Sequence, residues 1–571
     1  MKMVKSLLLG TAAGFVAVAG AQAADMPVKA AVQYVKICNL YGDGFYYIPG
    51  TNICLKLGGY VRAQFYYNYG QNATATPFFS PNFTNNLGPY NLNGNTPAVG
   101  PGGGVGVFTQ RTRAVITVDT REQTDYGVLR TYFLIGHTGD SPNPEALYAN
   151  RGFIQFAGFT FGLAQSFYDF FSAPAISYFA TETEDTGDGG WRVAAYTANF
   201  GNGITSTVSL EEPRRLGVTN VGVAGQITGA FAGNSSSTVQ GTFNNPFVVG
   251  GIIPNDTGAI RNPDLVYNWR IDQKWGAIMV GGALHEVDSG YYGSNVSSAG
   301  TGLTSCAPGG FLANTGVAAT GTGVPGGVSL LGSEPCGHPA NKLGWVVTGG
   351  LRLNVPGGSY LQVQGGYTEG APRYIDHTQT VLGSAAKFGV GNSLGVGPLM
   401  DGIFGPGTET ELTKSWGIYA SWEQVWNPKW KTSLYGGWTA VEYNANATQL
   451  IAAATCGSPT TGGFIAGAGS ANLGAVTTAA ASALNSMASG TLANMTNCSP
   501  NWQKGYIGSR TQWNITSQFY MGVDIVYTKL YTAFSGLATY RTNTSRPSGI
   551  YSIENQDNVG VTFRVHRDFV L

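Results

Sequence analysis

Along much of the chain, apolar and polar side chains alternate with a period of two, the mark of a strand whose two faces meet different surroundings. From Leu55 the odd positions read Leu55, Leu57, Gly59, Val61, Ala63, Phe65 and Tyr67, while the even positions carry Lys56, Gly58, Tyr60, Arg62, Gln64, Tyr66 and Asn68. The split recurs over Arg111–Thr120, where Ala114, Ile116 and Val118 oppose Arg113, Thr117 and Asp119, and over Leu343–Leu353. Trp416–Gln424, Trp430–Val441, Phe519–Tyr527 and Val559–Phe569 behave likewise. Counting every such segment predicts an all-β chain of about sixteen strands, the weakest being the one before Trp513.

A soluble sandwich also alternates, so the connections decide. Short ones fall at Gln123–Gly127, Ala157–Phe159, Phe200–Gly203, Lys274–Gly276, Val355–Gly358, Trp426–Lys429 and Trp513–Thr516. Long ones fall between them, at Gly70–Phe108, Gly136–Ala149, Ser166–Gly190, Glu211–Pro263, Asp288–Asn341, Glu369–Leu412, Asn444–Trp502 and Thr532–Gln556. Strict alternation of short and long connections is the pattern of a transmembrane antiparallel β-barrel, with tight periplasmic turns and long extracellular loops. Every strand then crosses the bilayer, and closure leaves no unpaired edge. Trp416 and Trp422 share one strand face, as do Trp430 and Trp438, in keeping with aromatic girdles at the lipid–water boundary.

The N-terminus agrees with export. Lys2 and Lys5 precede an apolar run from Leu7 to Ala19 and the small-residue site Ala21-Gln22-Ala23, the layout of a secretory signal peptide. We therefore expect residues 1–23 to be a signal peptide, 24–54 an N-terminal segment that a disulfide can close, and 55–571 the barrel. The expected place is the bacterial outer membrane, crossed many times, with outer-membrane lipid and lipopolysaccharide around it.

Composition sharpens this picture. Charged residues make up only 11% and aromatics 12%, with 84 Gly, whereas soluble domains carry about 25% charged residues. Loss of Lys2 and Lys5 takes the 31 basic residues to 29 against 31 acidic, and nothing in this balance points to nucleic acid. The six cysteines are Cys38, Cys54, Cys306, Cys336, Cys456 and Cys498, and an oxidising periplasm permits disulfides. Fifteen connectivities are open. Sequential pairing would close local loops, since Cys306 and Cys336 share one long connection and Cys456 and Cys498 another.

Catalytic signatures lack their context. Gly391-Asn-Ser393-Leu-Gly395 matches G-x-S-x-G without the strand–turn–helix setting of a nucleophile elbow. Gly321-Thr-Gly323-Val-Pro-Gly326 matches G-x-G-x-x-G with a proline inside. The histidines His137, His285, His338, His377 and His566 show no metal-ligand spacing. The chain is thus expected to be no enzyme, without cofactor or metal.

The stretch Tyr34-Val-Lys-Ile-Cys38-Asn-Leu-Tyr41-Gly-Asp-Gly44-Phe-Tyr-Tyr47-Ile-Pro49-Gly-Thr-Asn-Ile-Cys54-Leu-Lys-Leu-Gly-Gly59-Tyr-Val-Arg62 closely resembles the opening of the alphaproteobacterial porins. Ala164-Gln-Ser-Phe-Tyr-Asp169-Phe-Phe-Ser-Ala-Pro174 looks like the start of that family's third loop, and Gly522-Val-Asp524-Ile-Val-Tyr527-Thr-Lys529-Leu like its penultimate strand. The resemblance implies a homotrimer of sixteen-stranded barrels, each narrowed by an inward-folded third loop. It departs at the end, where Phe569-Val570-Leu571 replaces a terminal aromatic residue. The implied function is passive diffusion of small hydrophilic solutes and ions.

A charge pattern fits such a constriction. Lys56, Arg62, Arg111, Arg113, Arg121, Arg130 and Arg151 lie on polar faces of the first four strands, while the third loop carries Asp169, Glu182, Glu184, Asp185 and Asp188. Opposed charge ladders across a narrow pore select by charge and size. We take Arg62, Arg111, Arg113, Arg130, Asp169, Glu182, Glu184 and Asp185 as the expected constriction. Two rivals remain: a secreted or surface β-rich adhesin, which would not need the loop alternation, and an outer-membrane barrel enzyme, which would need a catalytic set on its loops.

Overall fold

The structure, a computed structural model, describes residues 37–69, 108–140, 146–170, 177–179, 190–220, 257–258, 261–290, 338–376, 384–388, 393–405, 408–456, 492–540 and 549–570. Sixteen strands form the wall. The first half comprises β1 (Cys54–Tyr69), β2 (Phe108–Thr124), β3 (Gly127–Asp140), β4 (Ala146–Phe156), β5 (Phe159–Ala164), β6 (Trp191–Gly201), β7 (Ile204–Glu211) and β8 (Asp264–Gln273). The second half comprises β9 (Gly276–Val287), β10 (Lys342–Asn354), β11 (Tyr360–Glu369), β12 (Lys414–Asn427), β13 (Trp430–Glu442), β14 (Trp502–Asn514), β15 (Phe519–Tyr531) and β16 (Gln556–Val570). Each pairs antiparallel with its neighbours in chain order, and β1 pairs with β16 from Gly58↔Val570 to Tyr69↔Val559. The barrel is closed.

The two faces of the wall follow the sequence alternation. Val61, Phe65, Ile116, Phe133, Leu265, Val280, Val347, Ile418, Ile507 and Phe563 are exposed on the outside. The alternate positions, such as Arg62, Gln64, Asn268, Thr348, Gln364, Ser421, Arg510 and Thr562, are buried inside. An apolar exterior around a polar interior is the inverse of a soluble core and suits a wall between lipid and water.

Turn chemistry fixes the short ends. Asn202 and Gly203 have φ of +50° and +73°, as a two-residue primed turn requires, and a Cβ on Gly203 would stand 1.9 Å from the Asp272 carbonyl oxygen. At the Pro428–Lys429 turn, Asn427 Oδ1 accepts from the backbone N–H of Lys429 at 2.9 Å and of Trp430 at 3.1 Å, a side-chain mimic of a backbone turn.

The long connections differ in places from expectation. The second spans only 141–145, because β3 and β4 extend beyond the alternating stretch. The seventh opens with a helix, Ala445–Cys456; residues 457–491 lie outside the described ones. Two small sheets are built from connections alone. One orders Ser384–Phe388, Ser393–Pro398, Gly549–Ile553, Ser535–Tyr540 and Leu492–Asn497, and the other Glu411–Leu412, Gly402–Phe404 and Val218–Asn220. At the opposite end, Tyr46–Tyr47 pairs with the start of β1, and a Cys38–Cys54 disulfide closes the segment over Phe45. Cys498 is also disulfide-bonded, while Cys306 and Cys336 lie outside the described residues and the side chain of Cys456 is not among those described.

Candidate functional site: the barrel lumen

Closure of β1 on β16 makes one basic wall from both ends of the chain. Arg62 pairs in register with Arg113 on one side and His566 on the other. One rung away, Gln64 pairs with Arg111 and Arg564. Period-two geometry turns all of these toward the lumen. Rings hold several guanidinium groups in place: Arg62 lies over Tyr60 at 5.2 Å, Arg111 over Tyr66 at 5.8 Å and Arg113 over Tyr148 at 5.1 Å. A cation over an aromatic face gains about 0.5–1 kcal/mol when exposed and more when desolvated. Such stacking fixes a long side chain without neutralising its charge.

Arg564 and Arg510 extend this wall, and the sequence reading missed both. Arg564 lies 4.2 Å and Arg510 5.5 Å from the Tyr178 ring centroid. Arg510 also pairs with Glu423, which takes a second partner in Lys431 at 2.9 Å. Arg564 stands on the polar face of the alternating stretch Val559–Phe569, so the signal was present. Its position beside Arg62 depends on closure, which no local pattern encodes.

Two pieces of the connection between β5 and β6 contact lumen-facing side chains. In the first, Ser166 Oγ donates to Glu211 Oε2 at 2.5 Å and the Phe167 N–H to Glu211 Oε1 at 2.9 Å. Phe170 packs with Ala277, Met279 and Tyr419. In the second piece, Asp524 Oδ2 accepts from the Tyr178 N–H at 2.5 Å and from Ser177 Oγ at 2.9 Å, while Tyr435 donates to Oδ1 at 2.5 Å. The Tyr178 carbonyl accepts from Arg564 at 3.0 Å and Gln64 at 3.3 Å. Phe179 is fully buried with Tyr66, Tyr435 and Val526. At about 25 cal/mol per Å² over roughly 150–250 Å², one such ring contributes about 4–6 kcal/mol before its ordering entropy is subtracted.

The expected constriction residues separate into three places. Arg62, Arg111 and Arg113 come together. Arg130 does not join them: it lies eight positions along β3 from Thr138, the partner of Arg113, or about 27 Å toward the short turns. There its Nη2 meets Asp119 Oδ2 at 3.0 Å, and Arg121 meets the same oxygen at 2.9 Å. Asp169 does not face the arginines either. Its Oδ1 accepts from Arg214 at 2.8 Å, with both side chains 0% exposed. Burial opposes the Arg214 charge, but Asp169, Tyr374 and Glu211 outweigh it and hold the guanidinium above its ordinary range. Glu182, Glu184 and Asp185 lie outside the described residues. The chain that carries them leaves Phe179 on Tyr66 and returns at Gly190, where an added Cβ would stand 2.7 Å from Arg151.

On the short-turn side of Phe167 and Phe170 lies a cavity of about 660 Å³, lined among others by Arg151, Arg270, Arg352, Thr207, Asn268 and Gln362. Arg151, Arg270 and Arg352 make it basic, and it is roomy enough for hydrated solutes.

The family described as Porin subfamily matches residues 25–561. Porin Omp2b of Brucella melitensis biotype 1 is 28% identical over 263 residues, covering 44% of this chain and 61% of that protein. Porin Omp2b of Brucella suis biovar 1 is 27% identical over the same length and coverage. The chain thus spans about three-fifths of the length of these relatives. Among solved structures, the outer membrane channel DcaP of Acinetobacter baumannii aligns over 92% of this chain and 99% of its own, with a TM-score of 0.47 and 12% identity. The anion-selective porin from Comamonas acidovorans aligns over 90% and 100%, with a TM-score of 0.38 and 9% identity.

Proposed function

The chain belongs to the porin subfamily of bacterial outer-membrane barrels, and from that premise we propose that it is a water-filled channel for passive diffusion of small hydrophilic solutes and ions. The observation that carries this reading is the closed wall with a polar, arginine-lined interior and an apolar exterior. Solutes move down their own gradients, so no turnover chemistry or cofactor is required. Residues 1–23 direct export and are removed.

The connection between β5 and β6 folds inward and narrows the channel. In this reading its anchors are the Asp169–Arg214 pair at one end and the Asp524 cradle at the other. Glu182, Glu184 and Asp185 then stand opposite Arg62, Arg111 and Arg113, joined by Arg564 and Arg510. Arg130 acts at the short-turn mouth. The transverse field orders water and weights passage by charge. The exposed apolar band contacts lipid, and lipopolysaccharide on the outer leaflet, and part of it is shared in a homotrimer.

Planar-bilayer recording of purified protein tests the central claim. Stepwise, ohmic conductance increments are expected on insertion. Purified, folded barrels that insert without conducting would overturn it.

A further inference from the structure

We propose that residues 370–376, at the start of the sixth long connection, form a second pore-narrowing element that sets the solute size limit together with the connection between β5 and β6. This rests on the channel reading above and adds a size-determining part to it. Leaving β11 at Glu369, the chain reverses at Gly370 with φ of +80°. It then makes a tight 3-10 turn, Pro372–Tyr374, that points into the barrel. The Ala371 N–H donates to Thr368 Oγ1 at 3.2 Å.

Three consecutive residues then touch three strands: the neighbouring β12 and, three strands away on either side of β11, β8 and β14. Tyr374 donates its hydroxyl to Asp264 Oδ2 on β8 at 2.7 Å. The Ile375 carbonyl accepts from the Tyr419 hydroxyl on β12 at 2.5 Å. Asp376 pairs with Lys504 on β14, both buried. Six strand spacings separate β8 from β14, about 29 Å of wall at ~4.8 Å each. Three residues advance the backbone by at most about 11 Å. The Tyr374 and Lys504 side chains cover the rest, so the buried segment and its contacts together span a chord inside the barrel.

The sector behind the chord is packed. Tyr374 and Ile375 pack with Tyr168, Val266, Ala283 and Val346 in one buried cluster, and the Tyr168 and Tyr374 rings meet edge-on at 4.7 Å. Tyr168 belongs to the β5–β6 connection, so the two elements brace each other. Residues 177–179 pack against β13–β16, so solutes are left with the sector beside β1–β4, where Arg62, Arg111 and Arg113 stand. A buried ion pair adds little net stability; at Asp376–Lys504 its role is to fix where the chord ends.

The test compares wild type with Asp376→Asn/Lys504→Met, which removes both charges together. Single-channel conductance and exclusion of neutral polyethylene glycols are measured in planar bilayers. The double variant is expected to raise conductance roughly 1.5-fold or more and to admit larger polymers, because the narrowest section limits passage. Gly417→Ala gives a second route, since its Cβ would stand 2.8 Å from Ile375 Cγ2 and displace the segment; it serves alone if the double variant fails to assemble. Conductance and polymer cut-off at or below wild-type values would overturn the proposal. A wild-type barrel that forms no channels would sink the channel reading, which the same recordings distinguish.

Discussion

Replacing Arg62 and Arg113 together by alanine should move ion preference toward cations by an amount the geometry sets. The two residues are register partners on β1 and β2, so their Cα atoms lie about 4.5–5.5 Å apart and replacing both takes two positive charges from one rung. An ion passing about 6 Å away feels roughly 0.7 kcal/mol from each charge at the dielectric constant of water. Together that is about 1.4 kcal/mol, or tenfold in local anion concentration. Cations feel the same with opposite sign, so the unscreened preference at that rung changes by up to about a hundredfold. Arg111, Arg564 and Arg510 remain, so a residual basic field should persist.

Salt decides whether the effect is this field or a change of width. At 1 M the Debye length is about 3 Å, and over 6 Å the 1.4 kcal/mol falls about sevenfold, to roughly 0.2 kcal/mol. The assay is the reversal potential across a salt gradient, taken at low and high mean concentration, with Arg62→Lys/Arg113→Lys as a charge-preserving control. Cation preference should rise in the alanine variant at low salt, nearly vanish as a difference at 1 M, and be absent in the lysine control. An unchanged reversal potential at low salt, or a shift that salt does not shrink, would refute the reasoning and leave the pore itself standing.

Glu182→Gln with Glu184→Gln should push selectivity toward anions in the same assay; no shift would remove these acids from the narrow section. Asp169→Asn takes the directly paired carboxylate from a buried guanidinium, so the heat-induced unfolding transition followed by gel mobility should fall by the equivalent of about 3–5 kcal/mol, whereas an unaltered transition would show that the pair anchors nothing. Non-reducing peptide mapping should recover Cys38–Cys54, Cys306–Cys336 and Cys456–Cys498, and a bridge between the fifth and seventh long connections would contradict the locality argument. Protease added to intact cells should cut within 212–263 or 443–501, and cleavage confined to Trp426–Lys429 and Trp513–Thr516 would invert the topology.

The wall was legible because its physics is local. A strand with lipid on one face and water on the other must alternate, so Leu55–Asn68 reads as β1 without knowledge of its neighbours. Tight turns at Asn202-Gly203 and Asn427-Pro428 announce themselves in one or two residues. Even the poorly alternating strand before Trp513 was recoverable, because the parity of crossings demands it. The same locality explains the errors. The extension of β3 and β4 around 141–145 comes from pairing between two strands, which Gly136 and Gly139 disguise as a loop. The small sheets of the connections bring together segments as far apart in the chain as Ser393–Pro398 and Gly549–Ile553, whose contact no window of sequence contains.

The lumen is the opposite case, since its chemistry depends on what a closed curve brings face to face. Arg111 and Arg564 are about 450 residues apart in the chain and flank the same residue, Gln64, only because β1 closes on β16. Asp169 looked like a pore acid because it sits among other acids in a loop. Arg214, in a different connection, converts it into half of a buried pair. A carboxylate's role is fixed by its nearest cation, and when that cation arrives from another loop, charge counting along the sequence assigns it wrongly. Arg62, Arg111 and Arg113 stay together because strand register keeps them adjacent whatever the loops do. Side chains that a strand projects toward the lumen can therefore be read from sequence with their orientation intact, whereas those on connections can be read only as a reservoir of charge until the fold divides them between anchor and pore.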